Sequence, residues 1–183
     1  MASYVQPAYG LGGEDAVLRE VLDHFEAFEV GSFLDAGCGE GKYILRVRAW
    51  KPGTTAWALD AHPPALAEVT ADRKICGNMP AALHFLESKS VDAVICLDAI
   101  EHLSKPDGLE ALREFERLAR RLVVIFTPRG FVPQEGERPW QRHLSGWEPQ
   151  ELEALGYEVF LWKDFDYGRG VVEDAIWATK EPG

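Results

Sequence analysis

Short apolar runs alternate with helical stretches along most of this chain, and this alternation constrains the fold more than any other feature. The runs "SFLDA", "TAWALD", "RKIC", "VDAVICLD" and "RLVVIF" have the length of buried strands, and stretches between them, such as "PDGLEALREFERLA", repeat apolar residues at helical spacing. Strands that are covered by helices on both faces have such continuous apolar runs. The sequence therefore predicts an α/β fold with a doubly wound, mostly parallel, Rossmann-like sheet.

The two ends of the chain complete this fold. Near the N-terminus, "EDAVLREVLDHFEAF" has the period of an amphipathic helix, and Asp107 is placed to cap the later helix "PDGLEALREFERLA". Near the C-terminus, "YEVFLW" and "VVEDAIWAT" are separated by only a short turn, which favours an antiparallel hairpin. The sheet should therefore have seven strands. Because no linker or repeat interrupts the pattern, we expect residues 1–183 to form one domain.

Charge and composition bear on partners and location. The net charge of −11 predicts a surface that repels phosphate backbones, so nucleic acid is not an expected partner. Cys38, Cys76 and Cys96 lie among apolar neighbours and outside any CxxC pair, which is typical of reduced core cysteines. The N-terminus lacks the features of a signal peptide, and no apolar run reaches the ~18 residues that cross a bilayer. A cytoplasmic protein without membrane contact is the expectation.

A glycine-rich turn, "FLDAGCGEGKY", follows the first strand, where open parallel sheets bind ligands. Gly37, Gly39 and Gly41 permit positive φ and close approach of a ligand, although such a pattern also occurs in simple tight turns. A dinucleotide fingerprint would place glycine at Lys42, and no P-loop motif is present. Asp60 ends the next strand, where an acid can bind ribose hydroxyls, or it caps the following helix.

Together these motifs resemble the class I S-adenosylmethionine-dependent methyltransferases, in particular the small-molecule enzymes related to quinone biosynthesis. "FLDAGCGEG" is similar to their first-strand signature and "ALD" to their ribose-binding strand. "CGNMPAAL" stands where they contact adenine, and "VDAVICLDAIEHL" is similar to their fourth strand and the helix after it. The resemblance covers roughly residues 30–183 and implies S-adenosyl-L-methionine as the cofactor.

The resemblance also implies a cofactor site at the ends of the strands. Its residues would be Asp35, Gly37, Cys38, Gly39, Asp60, Ala61, His62, Asn78, Met79 and Asp98. Asp35 and the glycines would line the methionine half, and Asp60 would hold the ribose. Ala61, His62, Asn78 and Met79 would surround the adenine, and Asp98 would lie beside the sulfonium and the amine. Many relatives have Asp at the position of Asn78, whose amide can still bond the adenine edge.

The charge pattern favours the same cofactor independently. S-adenosylmethionine carries a sulfonium and an ammonium, and it carries no phosphate. Asp35, Glu40, Asp60 and Asp98 would give the site an acidic rim, which attracts such a cation and repels a pyrophosphate.

Methyl transfer is an in-line displacement, so a base is needed only where the acceptor loses a proton. His143, in the loop "PWQRHLSGW", is the first candidate for that base, and a structural hydrogen bond is the alternative. His102 is the second candidate, because a Glu-His pair at a helix start favours a structural role. No metal site is expected, since His, Cys, Asp and Glu do not cluster at ligand spacing, although ligands distant in sequence can converge.

The acceptor is expected to lie against residues 127–148, a long Pro- and Gly-rich loop, and residues 1–13, with Tyr4 and Tyr9, are a candidate lid. The loop side chains expected at the acceptor are Phe131, Val132, Trp140 and Trp147, with Arg129, Arg138 and Arg142 for an anionic group. We therefore predict methylation of O, N or C on a small, aromatic or acidic metabolite. The alternatives are a protein or RNA methyltransferase, an NAD-dependent oxidoreductase, and a methyltransferase-like binding protein without turnover.

Overall fold

A computed structural model of the chain describes residues 3–4, 13–134, 141–168 and 171–183. The strands are β1 (Ser3–Tyr4), β2 (Ser32–Ala36), β3 (Thr55–Asp60), β4 (Arg73–Cys76), β5 (Val91–Leu97), β6 (Ala119–Pro128), β7 (Glu158–Gly168) and β8 (Val171–Lys180). The helices are α1 (Glu14–Ala27), α2 (Lys42–Trp50), α3 (Pro63–Glu68), α4 (Lys105–Leu118) and α5 (Pro149–Ala154), with short 3₁₀ turns at Leu83–Phe85 and Ile100–His102. No helix in these ranges is long and apolar enough to cross a bilayer.

The strands form one sheet in the order β1-β7-β8-β6-β5-β2-β3-β4. Strands β4, β3, β2, β5 and β6 run parallel, and β8 lies antiparallel between β6 and β7. The predicted seven-stranded sheet with a C-terminal antiparallel hairpin is thus confirmed. The backbone of β1 adds a two-residue parallel strand beyond β7, with Tyr4 opposite Leu161. The strand order reverses at β2, which lies between β3 and β5, so a crevice opens at the carboxyl ends of these strands.

Both faces of the sheet are covered, because the strand side chains alternate between two buried clusters. In β5, Ala93 and Ile95 pack with α1 and α2 on one face, whereas Val94 and Cys96 pack with α4 on the other. A strand buried on both sides has no polar face to show in its sequence. The continuous apolar runs therefore have their physical origin in this double covering.

Helix α4 begins earlier than the sequence predicted. Ser104 is its N-cap, and the Ser104 Oγ accepts a 3.3 Å hydrogen bond from the Asp107 N–H. Asp107, predicted as the cap, lies in the first turn, where its carboxylate accepts a 2.6 Å bond from Ser104 Oγ. The earlier start is possible because Pro106 occupies the first turn, where a helix needs no N–H donor.

The three cysteines are free, but they are not all in the core. Cys38 and Cys96 are buried, whereas Cys76 is exposed. Cys76 ends β4, the edge strand of the sheet, where no further strand covers it. The expectation of a core cysteine was therefore wrong at this position.

Candidate active site

A cleft of about 890 Å³ opens at the carboxyl ends of β2, β3 and β5. The predicted cofactor residues that line it are Gly37, Gly39, Asp60, Ala61, His62, Asn78, Met79 and Asp98. Asp35 and Cys38 are buried beside this cleft and do not line it. The fold therefore brings the predicted set to one end of the sheet, with two members beneath the surface.

The glycines of the turn after β2 have different surroundings. Gly37 has φ 89°, and a Cβ built on it would lie 2.5 Å from the Cβ of Ala99. Gly39 has φ 51°, and a Cβ there would meet no atom within 4 Å. Gly37 is thus required by packing, whereas Gly39 leaves open space above the backbone for a ligand.

Asp60 joins this turn to the end of β3. Its Oδ2 accepts a 2.8 Å hydrogen bond from the Gly39 N–H, and its Oδ1 accepts a 2.7 Å bond from the His62 N–H. Helix α3 has His62 at the N-cap position, so Asp60 is not the cap that was its alternative role. A carboxylate oxygen can accept a second hydrogen bond, so both oxygens can also receive a ribose hydroxyl.

Asp35 lies at the floor of the site and is 1% exposed. Within the described residues its Oδ2 has no hydrogen-bond partner. Burial and, to a smaller extent, the charge of Asp60 raise the pKa of Asp35 to about 7, and Lys42 opposes the shift. A buried carboxylate oxygen without a partner is costly, and a cation placed against it would stabilise the ionised form.

The lining of the cleft is acidic. Its described residues include the carboxylates of Glu40, Asp60, Asp98 and Asp107 and no lysine or arginine. Asp98 has φ 55°, a left-handed conformation that a residue other than glycine seldom adopts, and its N–H donates to the Phe126 carbonyl at 2.8 Å. Such local strain is typical of functional sites. The cleft is thus suited to a cationic ligand.

Glu101 lies behind the acceptor end of the cleft. Its side chain is buried, its Oε2 accepts a 3.0 Å bond from Thr127 Oγ1, and its Oε1 has no partner among the described residues. Burial raises the pKa of Glu101 well above its ordinary value, and the charge of Asp98 raises it further. The Glu101 carbonyl accepts bonds from the N–H groups of Leu144 and Ser145 at 2.8 and 3.1 Å. These two bonds hold the loop after β6 against the site.

His102 and His143 lie side by side, with ring centroids 4.8 Å apart. The Nδ1 of His102 lies 3.1 Å from the Arg142 carbonyl, and the Nδ1 of His143 lies 2.7 Å from the Val132 carbonyl. A carbonyl only accepts, so both Nδ1 atoms carry the proton, and each neutral ring has its lone pair on Nε2. Burial lowers the pKa of His102, which favours its neutral form. His102 lines the cleft, whereas His143, the first candidate from the sequence, does not.

The contact of these two histidines with Glu101 was not predicted from the sequence. Each of the three residues offers a ligand atom, and these atoms all lie within 4.8 Å of one another. Glu101 and His102 are adjacent in the sequence, but His143 lies in the loop after β6. No local sequence spacing therefore identifies the cluster. The described loop residues that line the cleft, Gln134, Gln141 and Leu144, carry no sequence signal either.

Several loop residues expected at the acceptor lie elsewhere. Trp147 is fully buried in the core between the sheet and α4, where a Cβ on Gly108 would lie 2.6 Å from its ring. Lys105 Nζ lies 3.8 Å from the centroid of the same ring. The Trp147 carbonyl accepts a 2.7 Å bond from the Gly130 N–H, which holds its backbone beside the residues that follow β6. It is therefore a structural residue and does not line the cleft.

The other loop residues expected at the acceptor either hold the loop in place, lie exposed outside the cleft, or lie outside the described residues. Arg129 pairs with Glu148 at 3.1 Å and with Asp174 at 3.5 Å, so it serves to fasten the loop. Arg142 and Phe131 are exposed and do not line the cleft. Trp140, Arg138 and most of the candidate lid, including Tyr9, lie outside the described residues.

The fold and the acidic cleft define an α/β protein with a site suited to a cationic ligand at its switch point. Residues 34–126 match the methyltransferase domain family. The chain therefore belongs to this family, within the class I methyltransferases, the class that uses S-adenosylmethionine as cofactor.

Similar proteins come from varied sources. Ubiquinone biosynthesis O-methyltransferase of Rickettsia canadensis (strain McKiel) is 24% identical, over 79% of this chain and 62% of the relative, so the chain spans less than two thirds of that protein. A SAM-dependent methyltransferase from Archaeoglobus fulgidus superposes with a TM-score of 0.63, 18% identity, and coverage of 92% and 95% of the two chains. The N-terminal domain of EvdMO1 with SAH bound superposes with a TM-score of 0.65 and 16% identity. The match covers 94% of this chain and 86% of that one. These two structures share the fold.

The charge and the geometry of the site are compatible with this cofactor, independently of the comparisons. The partnerless Asp35 Oδ2 and the acidic lining suit a cation, and the space above Gly39 leaves the backbone accessible. Asp60 presents both carboxylate oxygens at the end of β3, in place for a ribose.

Proposed function

We propose that this protein transfers the methyl group of S-adenosylmethionine to a hydroxyl oxygen of a small, uncharged metabolite. One observation carries this proposal: a single cleft is lined by eight of the ten predicted cofactor residues and by His102. Its volume of about 890 Å³ lies in the range of small-molecule pockets, about 300–1,000 Å³. Two small molecules placed end to end suit such a site better than a polymer does.

The cofactor end of the cleft would work through charge and backbone shape. Asp35 would lie against the methionine amine, with Gly37 and Gly39 leaving room for the amino-acid tail. Asp60 would accept the ribose hydroxyls, and the adenine would lie among Ala61, His62, Asn78 and Met79. When bound, the cofactor supplies an electrophilic methyl group on a sulfonium. Asp98 would stabilise the positive charge of the cofactor from the end of β5.

The acceptor end of the cleft favours an uncharged molecule. Leu103 and Leu144 give it apolar surface, and Gln134 and Gln141 offer carboxamide donors and acceptors. Because the described lining residues include no lysine or arginine, an anionic acceptor would be repelled. An acidic metabolite, part of the expectation from the sequence, is therefore the less favoured class. The similarity to a ubiquinone biosynthesis O-methyltransferase supports oxygen as the nucleophile.

A hydroxyl must lose its proton as the methyl group arrives. His102 lies at the acceptor end with its Nε2 lone pair available, and the Arg142 carbonyl holds the ring in that tautomer. Positioning contributes the rest, because reacting atoms held in contact gain an effective molarity of about 10⁵–10⁸ M. The chain thus needs few chemical groups besides a rigid cleft.

The test is transfer of labelled methyl from S-adenosylmethionine to a fractionated cell extract. We expect label in the small-molecule fraction, on a product that mass spectrometry shows to be an O-methyl compound. Label in RNA or protein alone would favour the macromolecular alternatives. Calorimetric titration with S-adenosylhomocysteine and with NAD, in parallel, tests the cofactor, and a response to NAD alone would contradict the proposal.

The matched variant for the acceptor end is His102→Gln, which removes the imidazole and keeps a polar side chain. We expect it to lower turnover about 10²- to 10⁴-fold, the contribution of a general acid–base group, while the affinity for S-adenosylhomocysteine is unchanged. Equal loss of both quantities would assign His102 a structural role.

A further inference from the structure

We propose that Glu101, His102 and His143 form a binding site for a divalent transition-metal ion at the acceptor end of the cleft. The site's role in methyl transfer rests on the proposed function. Binding of the ion itself can be measured without knowledge of the acceptor.

The distances suit a metal site that tightens slightly on binding. The ligand atoms of the three residues lie within 4.8 Å of one another. An ion with ligand bonds of about 2.0–2.2 Å holds tetrahedral ligand atoms about 3.3–3.6 Å apart. A movement of less than about an ångström in each side chain therefore closes the site.

The histidine rings are already oriented for coordination. The carbonyls of Arg142 and Val132 hold the Nδ1–H groups of His102 and His143, respectively. Metal-bound histidines commonly donate their second ring N–H to a carbonyl in this way, because the bond sets the tautomer and the ring plane. The Nε2 lone pairs are thus the available ligands, and neutral imidazole is the form that binds metal.

Glu101 gives a second, independent indication of a cation. Its side chain is 2% exposed, and its Oε1 has no hydrogen-bond partner among the described residues. No lysine or arginine of the described ranges forms a salt bridge with it, while Asp98 adds a neighbouring negative charge. A buried carboxylate next to another carboxylate is unfavourable unless it takes up a proton or a cation compensates its charge. An ion between Glu101 and the two histidines supplies that charge.

The ligand set indicates the kind of ion. Two imidazoles and one carboxylate suit Mn²⁺, Fe²⁺, Co²⁺ or Zn²⁺, whereas Mg²⁺ and Ca²⁺ prefer oxygen ligands throughout. Three protein ligands leave further positions open. Because His102 lines the cleft, the cleft is the side from which an acceptor would reach the ion.

With an ion bound, the Nε2 of His102 is a ligand, so His102 acts on the acceptor hydroxyl through the ion. In the metal-free chain the same Nε2 is the proton acceptor described above. A hydroxyl oxygen bound to a divalent ion has a lowered pKa and releases its proton to solvent. The oxygen then forms its bond to the methyl carbon as the bond from that carbon to sulfur breaks, which yields the methyl ether and a neutral thioether.

The experiment titrates the chelator-treated full-length protein with Mn²⁺ and follows free Mn²⁺ by electron paramagnetic resonance, with Co²⁺ absorption as a second probe. We expect one ion per chain in the wild type. His143→Ala and Glu101→Gln should each weaken binding at least about tenfold. His84→Ala is the matched control, because this half-exposed histidine pairs with Glu110 at 2.9 Å, outside the cluster, and should bind Mn²⁺ as the wild type does.

Titration of the same samples with S-adenosylhomocysteine separates the two proposals and reports on folding. A wild type that binds S-adenosylhomocysteine but neither Mn²⁺ nor Co²⁺ would overturn the metal site and leave the proposed function intact. The metal site would also be overturned if His84→Ala lost as much affinity for Mn²⁺ as His143→Ala. Binding of metal without S-adenosylhomocysteine would instead contradict the proposed function.

Discussion

The backbone N–H of Gly39 donates a 2.8 Å hydrogen bond to the carboxylate of Asp60. This bond fastens the glycine turn after β2 to the end of β3, which stands beside it in the sheet. Two elements that would contact opposite ends of the cofactor are thus held in one arrangement by the protein itself. A site that is arranged before binding loses less entropy when the ligand arrives.

Replacement of Asp60 by alanine should weaken cofactor binding, because the Gly39 and His62 N–H groups lose their acceptor and the ribose loses a partner. We expect a loss of about 1–3 kcal/mol, which is roughly a 5- to 150-fold rise in the Kd for S-adenosylhomocysteine by calorimetry. Glu40→Gln is the control, since it removes a negative charge from the same cleft at an exposed position. If both variants lost affinity equally, general charge and not these hydrogen bonds would explain the effect of Asp60.

Alanine substitutions at Gly37 and Gly39 should separate packing from ligand access. At Gly37 the added Cβ would lie 2.5 Å from Ala99, at φ 89°, so we expect a loss of about 2–4 kcal/mol in the free energy of unfolding. At Gly39 the added Cβ meets nothing within 4 Å, so the loss should be only about 1–2 kcal/mol from the backbone conformation. Urea unfolding measures both values.

Cofactor binding provides the second half of this comparison. The Gly39→Ala protein should fold and yet bind S-adenosylhomocysteine at least about tenfold more weakly, because the methyl group occupies the open space above the turn. A Gly39→Ala protein with wild-type affinity would show that the cofactor does not approach this residue.

Much of the fold was predictable because its signals are local. The apolar runs reflect strands buried on both faces, and the hairpin of β7 and β8 follows from the short connection between them. Asp60 could be found because the end of a strand adjacent to the glycine turn is a position that the sequence identifies. Its hydrogen bonds, in contrast, depend on the twist of the sheet and needed the structure.

The rest of the site depends on how the loop after β6 returns to the body of the protein. Backbone bonds from Leu144 and Ser145 to the Glu101 carbonyl bring His143 beside His102, and no pattern in the sequence encodes this contact. The same path of the loop buries Trp147 in the core. An aromatic residue in a long loop suits a core position and a pocket wall equally well, so the sequence did not distinguish the two. Residues that meet only through tertiary contacts were therefore the ones that sequence reasoning assigned wrongly or missed.

Trp147 offers a direct test of this correction. Trp147→Ala should lower the free energy of unfolding by about 3–5 kcal/mol, because it empties a fully buried position against Gly108. Phe131→Ala, at a neighbouring position that is 58% exposed, should change it by less than about 0.5 kcal/mol. Thermal and urea unfolding measure the difference, and similar values for the two variants would contradict a core role for Trp147.

Asp35 should make folding stability depend on pH. Its pKa of about 7 in the folded protein exceeds the ordinary value for an aspartate, so between about pH 4 and pH 7 the folded chain binds a proton that the unfolded chain has lost. Its contribution should therefore lower stability as pH rises through this window, with a slope of at most about 1.4 kcal/mol per pH unit. Asp35→Asn removes this titration, so its unfolding free energy should fall less with rising pH than that of the wild type.

Cofactor binding should show the opposite dependence on pH. An ammonium placed against Asp35 favours the ionised carboxylate, so binding below pH 7 must release the proton, and the affinity for S-adenosylhomocysteine should rise between pH 6 and pH 8. Calorimetry across this range should give a rising affinity for the wild type and for Glu40→Gln, whereas Asp35→Asn should bind more weakly and with a flatter profile. An Asp35→Asn protein that kept both the affinity and the slope of the wild type would remove Asp35 from the methionine end of the site. The slope would then have to come from another group, and the buried Glu101 and the half-buried His102 are the candidates with shifted pKa values near the cleft.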